Sequence, residues 1–141
     1  TSREWALDFN LTDRLSLYLF DETADTDAEL RSSGTFTTDE GSWHFYVATY
    51  DGALNASGGV MYRDGTVLTS TSLGAGFGAG SGLRDTTAAV RFGARASAGD
   101  QPFDGFMGGG PLGPFFVRNK QLSGVEVTRL YEIGRRLLAL G

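Results

Sequence analysis

Three carboxylates at alternate positions, in Asp25-Thr26-Asp27-Ala28-Glu29, are the residues of this chain best spaced for chemistry. On an extended strand, side chains two apart share a face. Carboxylates so placed can divide the roles of nucleophile and general acid in cleaving a glycosidic bond. Small polar neighbours give the segment little apolar surface to pin it, however, and Asp21 to Asp27 reads as an acidic, solvated turn. His44 is the only histidine. Beside Trp43, in an apolar and aromatic run, a hydrogen-bonded structural imidazole is expected rather than a general base. With no cysteine, neither a thiolate nucleophile nor a disulfide exists. No Ser-His-Asp set can be argued, so no catalytic residue is assigned. Trp5, Trp43, Tyr46, Tyr50 and Tyr62 could offer ring faces to sugars. Trp43 is expected in the core, whereas Tyr62, beside the Asp64-Gly65 turn, is expected to be exposed. Tyr62, Asp64 and Tyr50 are the candidate ligand-binding residues.

Strands must position these groups. Trp5, Leu7, Phe9 and Leu11 alternate with polar and small residues, Thr12-Asp13-Arg14 reads as a turn, and Leu15, Leu17 and Leu19 resume the alternation opposite Tyr18 and Phe20. That pattern predicts an antiparallel hairpin. A third strand is expected over 28–36. Residues 43–50, apolar on both faces, predict a central strand ended by Asp51-Gly52. Strands over 59–63 and 66–71 flank Asp64-Gly65, the signature of a type I′ turn. In 74–82 glycine falls at every second position without dinucleotide-loop spacing, so a flexible loop is expected. Further strands are expected at 86–92 and 115–119, with a glycine cluster over 105–113 between them. One helix begins at Ser123, where Ser123 and Glu126 have capping-box spacing. Val127, Leu130, Tyr131, Leu137 and Leu138 form its apolar stripe, and Arg135 and Arg136 suit its C-terminal dipole.

Composition narrows the classes further. A chain of 141 residues has room for one ordinary domain. Hydrophobic residues at 40% and aromatic residues at 12% exclude a disordered segment. Glycine, 21 residues, is about twice its usual share, but with 3 prolines and no G-X-Y period the chain is not collagen-like. The net charge is −5. Residues 1–104 carry seven arginines against fifteen acids, net −8, while residues 105–141 are net +3. An acidic body argues against nucleic acid as a partner, and the basic C-terminal element suits packing within the fold or docking to a neighbour. No run of eighteen apolar residues is present, so no membrane span is expected.

Five motifs resemble the laminin G-like branch of the concanavalin A-like lectin/glucanase superfamily. Residues 43–52, WHFYVATYDG, are similar to that branch's W-x-h-V-A-x-T-Y-D-G strand, and Met61-Tyr62-Arg63-Asp64-Gly65 to its Y-v-[ND]-G hairpin. Val90-Arg91-Phe92-Gly93 resembles l-x-i-G, Phe103-Asp104-Gly105 resembles F-x-G, and residues 119–131 resemble N-r-x-L-s-x-x-E-i-x-x-L-y. Where the family carries an acidic pair after F-x-G, this chain has Met107-Gly108-Gly109-Gly110-Pro111. Complete family domains begin several strands earlier. Residues 1–141 are therefore expected to be the C-terminal part of such a domain, its first strands lying in a longer parent chain or supplied by another chain.

The resemblance implies an all-β fold: a two-sheet antiparallel β-sandwich of jelly-roll, concanavalin A-like type, with one short C-terminal α-helix. Relatives hold calcium at the sandwich rim, which makes Asp21, Asp25, Asp27 and Asp51 the candidate metal ligands. The expected function is a non-catalytic, lectin-like module that recognises glycans or a surface partner through rim loops. The alternative is a structural or decoration protein of a virion or bacterial surface assembly. A glycosidase is the weakest reading, since Asp25 stands where the superfamily's glucanases place a glutamate. Either leading reading implies an extracellular, cell-surface or virion-surface location. The helix, continuing through Leu137-Leu138-Ala139-Leu140, is a candidate surface for homo-oligomer contacts.

Overall fold

A computed structural model describes residues 5–21, 26–39, 41–52, 55–74, 117 and 120–137. Among the described residues, seven strands and one α-helix run in the order β1 (Trp5–Phe9), β2 (Leu15–Asp21), β3 (Thr26–Ser32), β4 (Tyr46–Tyr50), β5 (Gly59–Arg63), β6 (Thr66–Val67), β7 (Ser70–Gly74) and α1 (Gly124–Leu137). They form a four-stranded sheet, β1-β2-β3-β7, and a three-stranded sheet, β4-β5-β6, antiparallel throughout. The expected two-sheet architecture with one C-terminal helix is what the chain adopts.

Alternation decides which side chains meet. Leu15, Leu17 and Leu19 of β2 and Ala28 and Leu30 of β3 pack with Met61 of β5 and Ala56, while Tyr46, Ala48 and Tyr50 of β4 close in beside them. The other face of the second sheet presents Val47 and Tyr62, which pack with Leu122 and Val127 beneath α1. The three-stranded sheet is thus covered on one side by the first sheet and on the other by the helix. Such inward stripes are what a period of two in strands and 3.6 in a helix produce.

Several boundaries differ from the sequence reading, each for a local reason. The first hairpin turns at Asn10, whose carboxamide oxygen accepts from Thr12 N (2.9 Å), Thr12 Oγ1 (2.7 Å) and Arg14 N (3.3 Å). Leu11 therefore projects into solvent instead of extending β1. Of the acidic turn expected over 21–27, Asp21, Thr26 and Asp27 belong to strands, because Asp21 pairs with Thr26 and Phe20 with Asp27 across β2 and β3, and residues 22–25 lie outside the described residues. β3 then stops at Ser32, whose carbonyl accepts from Arg14 Nη1 at 3.0 Å. The strand expected over 66–71 is divided between the sheets. β6 pairs with β5, Leu68 N still donates to Met61 O (2.9 Å), and from Ser70 onward β7 pairs with β3. The Asp64-Gly65 turn has the two positive φ values, 52° and 78°, that a type I′ turn demands.

The helix starts as its cap predicts: Glu126 N donates to Ser123 Oγ (3.3 Å) and Ser123 N to Glu126 Oε2 (2.8 Å). The strand at 86–92, the motifs at 90–93 and 103–105, the 105–113 cluster, the helix continuation past Leu137 and most of the 74–82 and 115–119 segments lie outside the described residues.

Candidate functional site

Around the β5–β6 turn, five polar side chains from four segments converge. Asp64 accepts from Phe45 N at 2.9 Å through Oδ1 and faces His44 Nδ1 at 2.7 Å through Oδ2. Arg63 Nη2 donates to Asp39 Oδ1 (2.5 Å) and lies 3.2 Å from His44 Nε2. The Tyr46 hydroxyl donates to the remaining Asp39 oxygen. A carboxylate only accepts and a guanidinium only donates, so the arrangement is satisfied by a proton on His44 Nδ1 and a lone pair on Nε2. Burial, and then the hydrogen bond to Asp39, push the Tyr46 hydroxyl above its ordinary range, which keeps it a donor.

Beneath the polar groups lies an aromatic cluster. Phe9, Phe36 and Tyr46 meet edge to face with centroids 5.1–5.9 Å apart, and the Arg63 guanidinium lies 5.7 Å from the Phe36 ring centre. Phe45, which sits between the hydrogen-bonded His44 and Tyr46, stacks on Tyr131 of α1 at 6.3 Å. Phe45 O accepts from Asp64 N (2.8 Å), and the chain leaves the sheet on the N-terminal side of that pair. β4 begins at Tyr46, and Trp43, expected in the core, is 53% exposed beside this network.

The candidate residues disperse accordingly. Asp64 is a hub of the network. Tyr62, expected to be exposed, is only 4% exposed, because α1 lies across it; its ring contributes to the floor of a shallow depression between the helix and β6. Tyr50 is half-buried toward the first sheet, where burial, and then Asp51, raise its pKa. Of the metal candidates, Asp21 is buried at the end of β2, Asp27 is exposed on β3, Asp51 is exposed after β4, and Asp25 lies outside the described residues. Among the described residues no three carboxylate or imidazole groups gather as a metal site. The described aspartates do not fit a calcium ion, which needs six to eight converging oxygens.

Glu29 has become part of the framework. Ser16 Oγ (2.8 Å) and Arg31 Nε (2.8 Å) donate to Oε1, and Arg31 Nη2 (2.7 Å) donates to Oε2. Burial alone would raise its pKa, but the hydrogen bonds from Arg31 and Ser16 outweigh it and hold the carboxyl below the ordinary range. That is the opposite of the raised pKa a general acid requires.

The residue types in the rim network were visible in the sequence, but their convergence was not. Asp39, Arg63 and Tyr46 carry no spacing signal, being 7 to 24 positions apart in the pairs they form. His44 was expected to be a hydrogen-bonded structural residue, and so it is.

The Laminin_G_3 family model, described as the concanavalin A-like lectin/glucanases superfamily, matches residues 1–109. The match includes the first hairpin, which the sequence motifs at 43–131 left out. No curated protein and no solved structure matches the chain.

Proposed function

The chain belongs to the concanavalin A-like lectin/glucanase superfamily, in its laminin G-like branch, and on that premise we propose that it is a non-catalytic module that binds glycans through the rim at Trp43 and Arg63. The observation that carries this reading is the exposed indole of Trp43 beside a network that fixes its neighbours. A rigid aromatic face gives a sugar ring large contact at small entropic cost. Arg63 spends Nη2 on Asp39 and His44 and keeps other N–H donors on a half-exposed guanidinium for hydroxyl oxygens. The network's carboxylates are engaged in hydrogen bonds, which suits a site that holds a ligand. A location outside the cell, on a cell surface or on a virion, goes with this reading.

A glycan array probed with the purified chain, with and without EDTA, tests the proposal. Ligands should be retained in EDTA, since the described aspartates do not converge. Trp43→Ala should weaken the best of them by roughly tenfold or more, the scale of a lost aromatic anchor. A chain that binds no glycan in either condition overturns the reading.

A second reading, a structural or decorating protein of a larger assembly, is favoured by a separate observation. On α1 the exposed Val125, Ile133 and Leu137 fall on one i+4 row with Arg129, away from the face that packs on the sheet. A helix with one apolar stripe buried and another exposed has a surface left to cover.

A further inference from the structure

The tip of the first hairpin and the depression beside α1 are complementary. At the tip, Leu11 is fully exposed and Asp13 makes no ion pair among the described residues. The tip is held by hydrogen bonds: Asn10 Oδ1 accepts three, Asp13 N donates to Asn10 O (2.9 Å), and Phe36 N donates to Asp13 O (2.8 Å). The depression is floored by Tyr62 and Gly65 and walled by Val67 of β6 and by Val125 and Thr128 of α1, with Arg129 at its edge. Val67 and Val125 are exposed, and Arg129 makes no ion pair among the described residues. Lys120, ahead of the helix, and Arg135 within it are in contrast engaged with Glu126 and Glu132.

We propose that Leu11 of one copy of this chain inserts into the Val67–Val125 depression of a second copy, with Asp13 pairing to Arg129. The apolar knob meets an apolar hole, and the unpaired acid on the net-negative body meets an unpaired cation on the net-positive C-terminal segment. Because the knob is already held in shape, docking loses little conformational freedom. Knob and hole lie on different parts of the molecule, so the contact is heterologous. Each copy can dock one neighbour and receive another, which builds rings or filaments instead of closed dimers. The surface shares no residue with the Trp43–Arg63 rim and stands independently of whether a glycan binds there.

Sedimentation velocity of the full chain across a concentration series tests this. The weight-average mass should rise with concentration beyond that of a dimer. Leu11→Glu and Val125→Glu, both fully or largely exposed positions, should each weaken association by at least about tenfold, the scale of one buried leucine contact. Circular dichroism melts of both variants should match the parent. The decisive sample is their equimolar mixture. A Val125→Glu chain keeps its knob and a Leu11→Glu chain keeps its hole, so the mixture should form a heterodimer and stop there. Asp13→Arg and Arg129→Asp should each lose association alone and recover it when mixed. Trp43→Ala should associate like the parent. A parent chain that stays monomeric to about 1 mM overturns the proposal, as do single variants that still associate or a mixture that stays monomeric.

Discussion

Two networks in this molecule are built from the same chemistry, carboxylate with guanidinium, and serve different ends. On the first sheet, Glu29 is gripped by Arg31 and Ser16, two strand positions away and across one strand pair. Ser16 is wholly buried and Glu29 nearly so. Around the β5–β6 turn, Asp64 and Asp39 engage His44, Arg63 and Tyr46 across loops and strand ends, and every side chain among them stays partly exposed, Tyr46 also joining the aromatic cluster. In the first, polar groups follow the strand register and satisfy one another inside the fold. In the second, they close the end of the ladder: Asp64 N donates to Phe45 O (2.8 Å) while its carboxylate accepts from Phe45 N (2.9 Å), and β4 begins one residue later. A buried network specifies the sheet, whereas a half-exposed one places a loop and the indole it carries.

Packing should show the contrast at its largest. Leu19 lies in the inter-sheet core, and Val127 lies in the smaller cluster beneath α1. Leu19→Ala should lower unfolding free energy by about 2–5 kcal/mol, the usual cost of a buried leucine truncation with its cavity. Val127→Ala should cost about 1–3 kcal/mol, since fewer methyl groups are lost. Urea unfolding followed by tryptophan fluorescence measures both. Equal costs, or a larger one at Val127, would show that the helix side carries as much of the fold as the space between the sheets.

The next contrast sets the two carboxylates against each other. Glu29→Gln should destabilise by about 1–3 kcal/mol at pH 7, because Ser16 and Arg31 are left with a weaker acceptor. Its pH dependence has a definite sign. The folded-state pKa of Glu29 lies below its ordinary value, so its contribution is present above the ordinary carboxylate range and is lost as pH falls through the folded-state value. The gap between parent and variant should therefore narrow from pH 7 to pH 3. Asp64→Ala should cost less global stability but should release His44 and Phe45, and it should reduce glycan binding with Trp43 still present. If Asp64→Ala instead unfolds the protein while leaving binding intact in what remains folded, the network is framework and not a placing device.

Legibility in the sequence divided along the same line. Leucines at positions 15, 17 and 19, the Asp64-Gly65 turn and the Ser123–Glu126 cap were all readable, because each is encoded within a few residues by periodicity or by a backbone requirement. At Gly65 the requirement is doubled: φ is positive, and a Cβ would stand 3.2 Å from the Thr128 Cα. The rim network was not readable, since His44–Asp64 and Asp39–Arg63 are 20 and 24 residues apart. Trp43 was misread because the run over 43–50 has strand composition throughout, whereas β4 begins only at Tyr46 and leaves the indole exposed. Tyr62 was misread for the converse reason. Turn proximity suggested exposure, and the helix that covers it begins sixty residues later.

The smallest expected effects fall at the helix start, where the two modes of polar placement meet in one short segment. Ser123→Ala removes the acceptor for Glu126 N and should cost about 1 kcal/mol in urea unfolding, the typical value of a lost N-cap. Glu126 itself is exposed, yet its pKa is lowered to about 2, first by the Lys120 ammonium 2.7 Å away and then by the Ser123 N–H and hydroxyl. Lys120→Ala should move the Glu126 titration upward, toward the ordinary carboxylate range, in a carbon-detected NMR pH series. Ser123→Ala should move it upward by less, because the backbone N–H of residue 123 remains. Should Lys120→Ala leave the titration where it was, the cap alone sets the charge at this end of α1. The lysine, the first residue of the segment leading into the helix, would then be as unengaged as Arg129 and as available to an acidic partner.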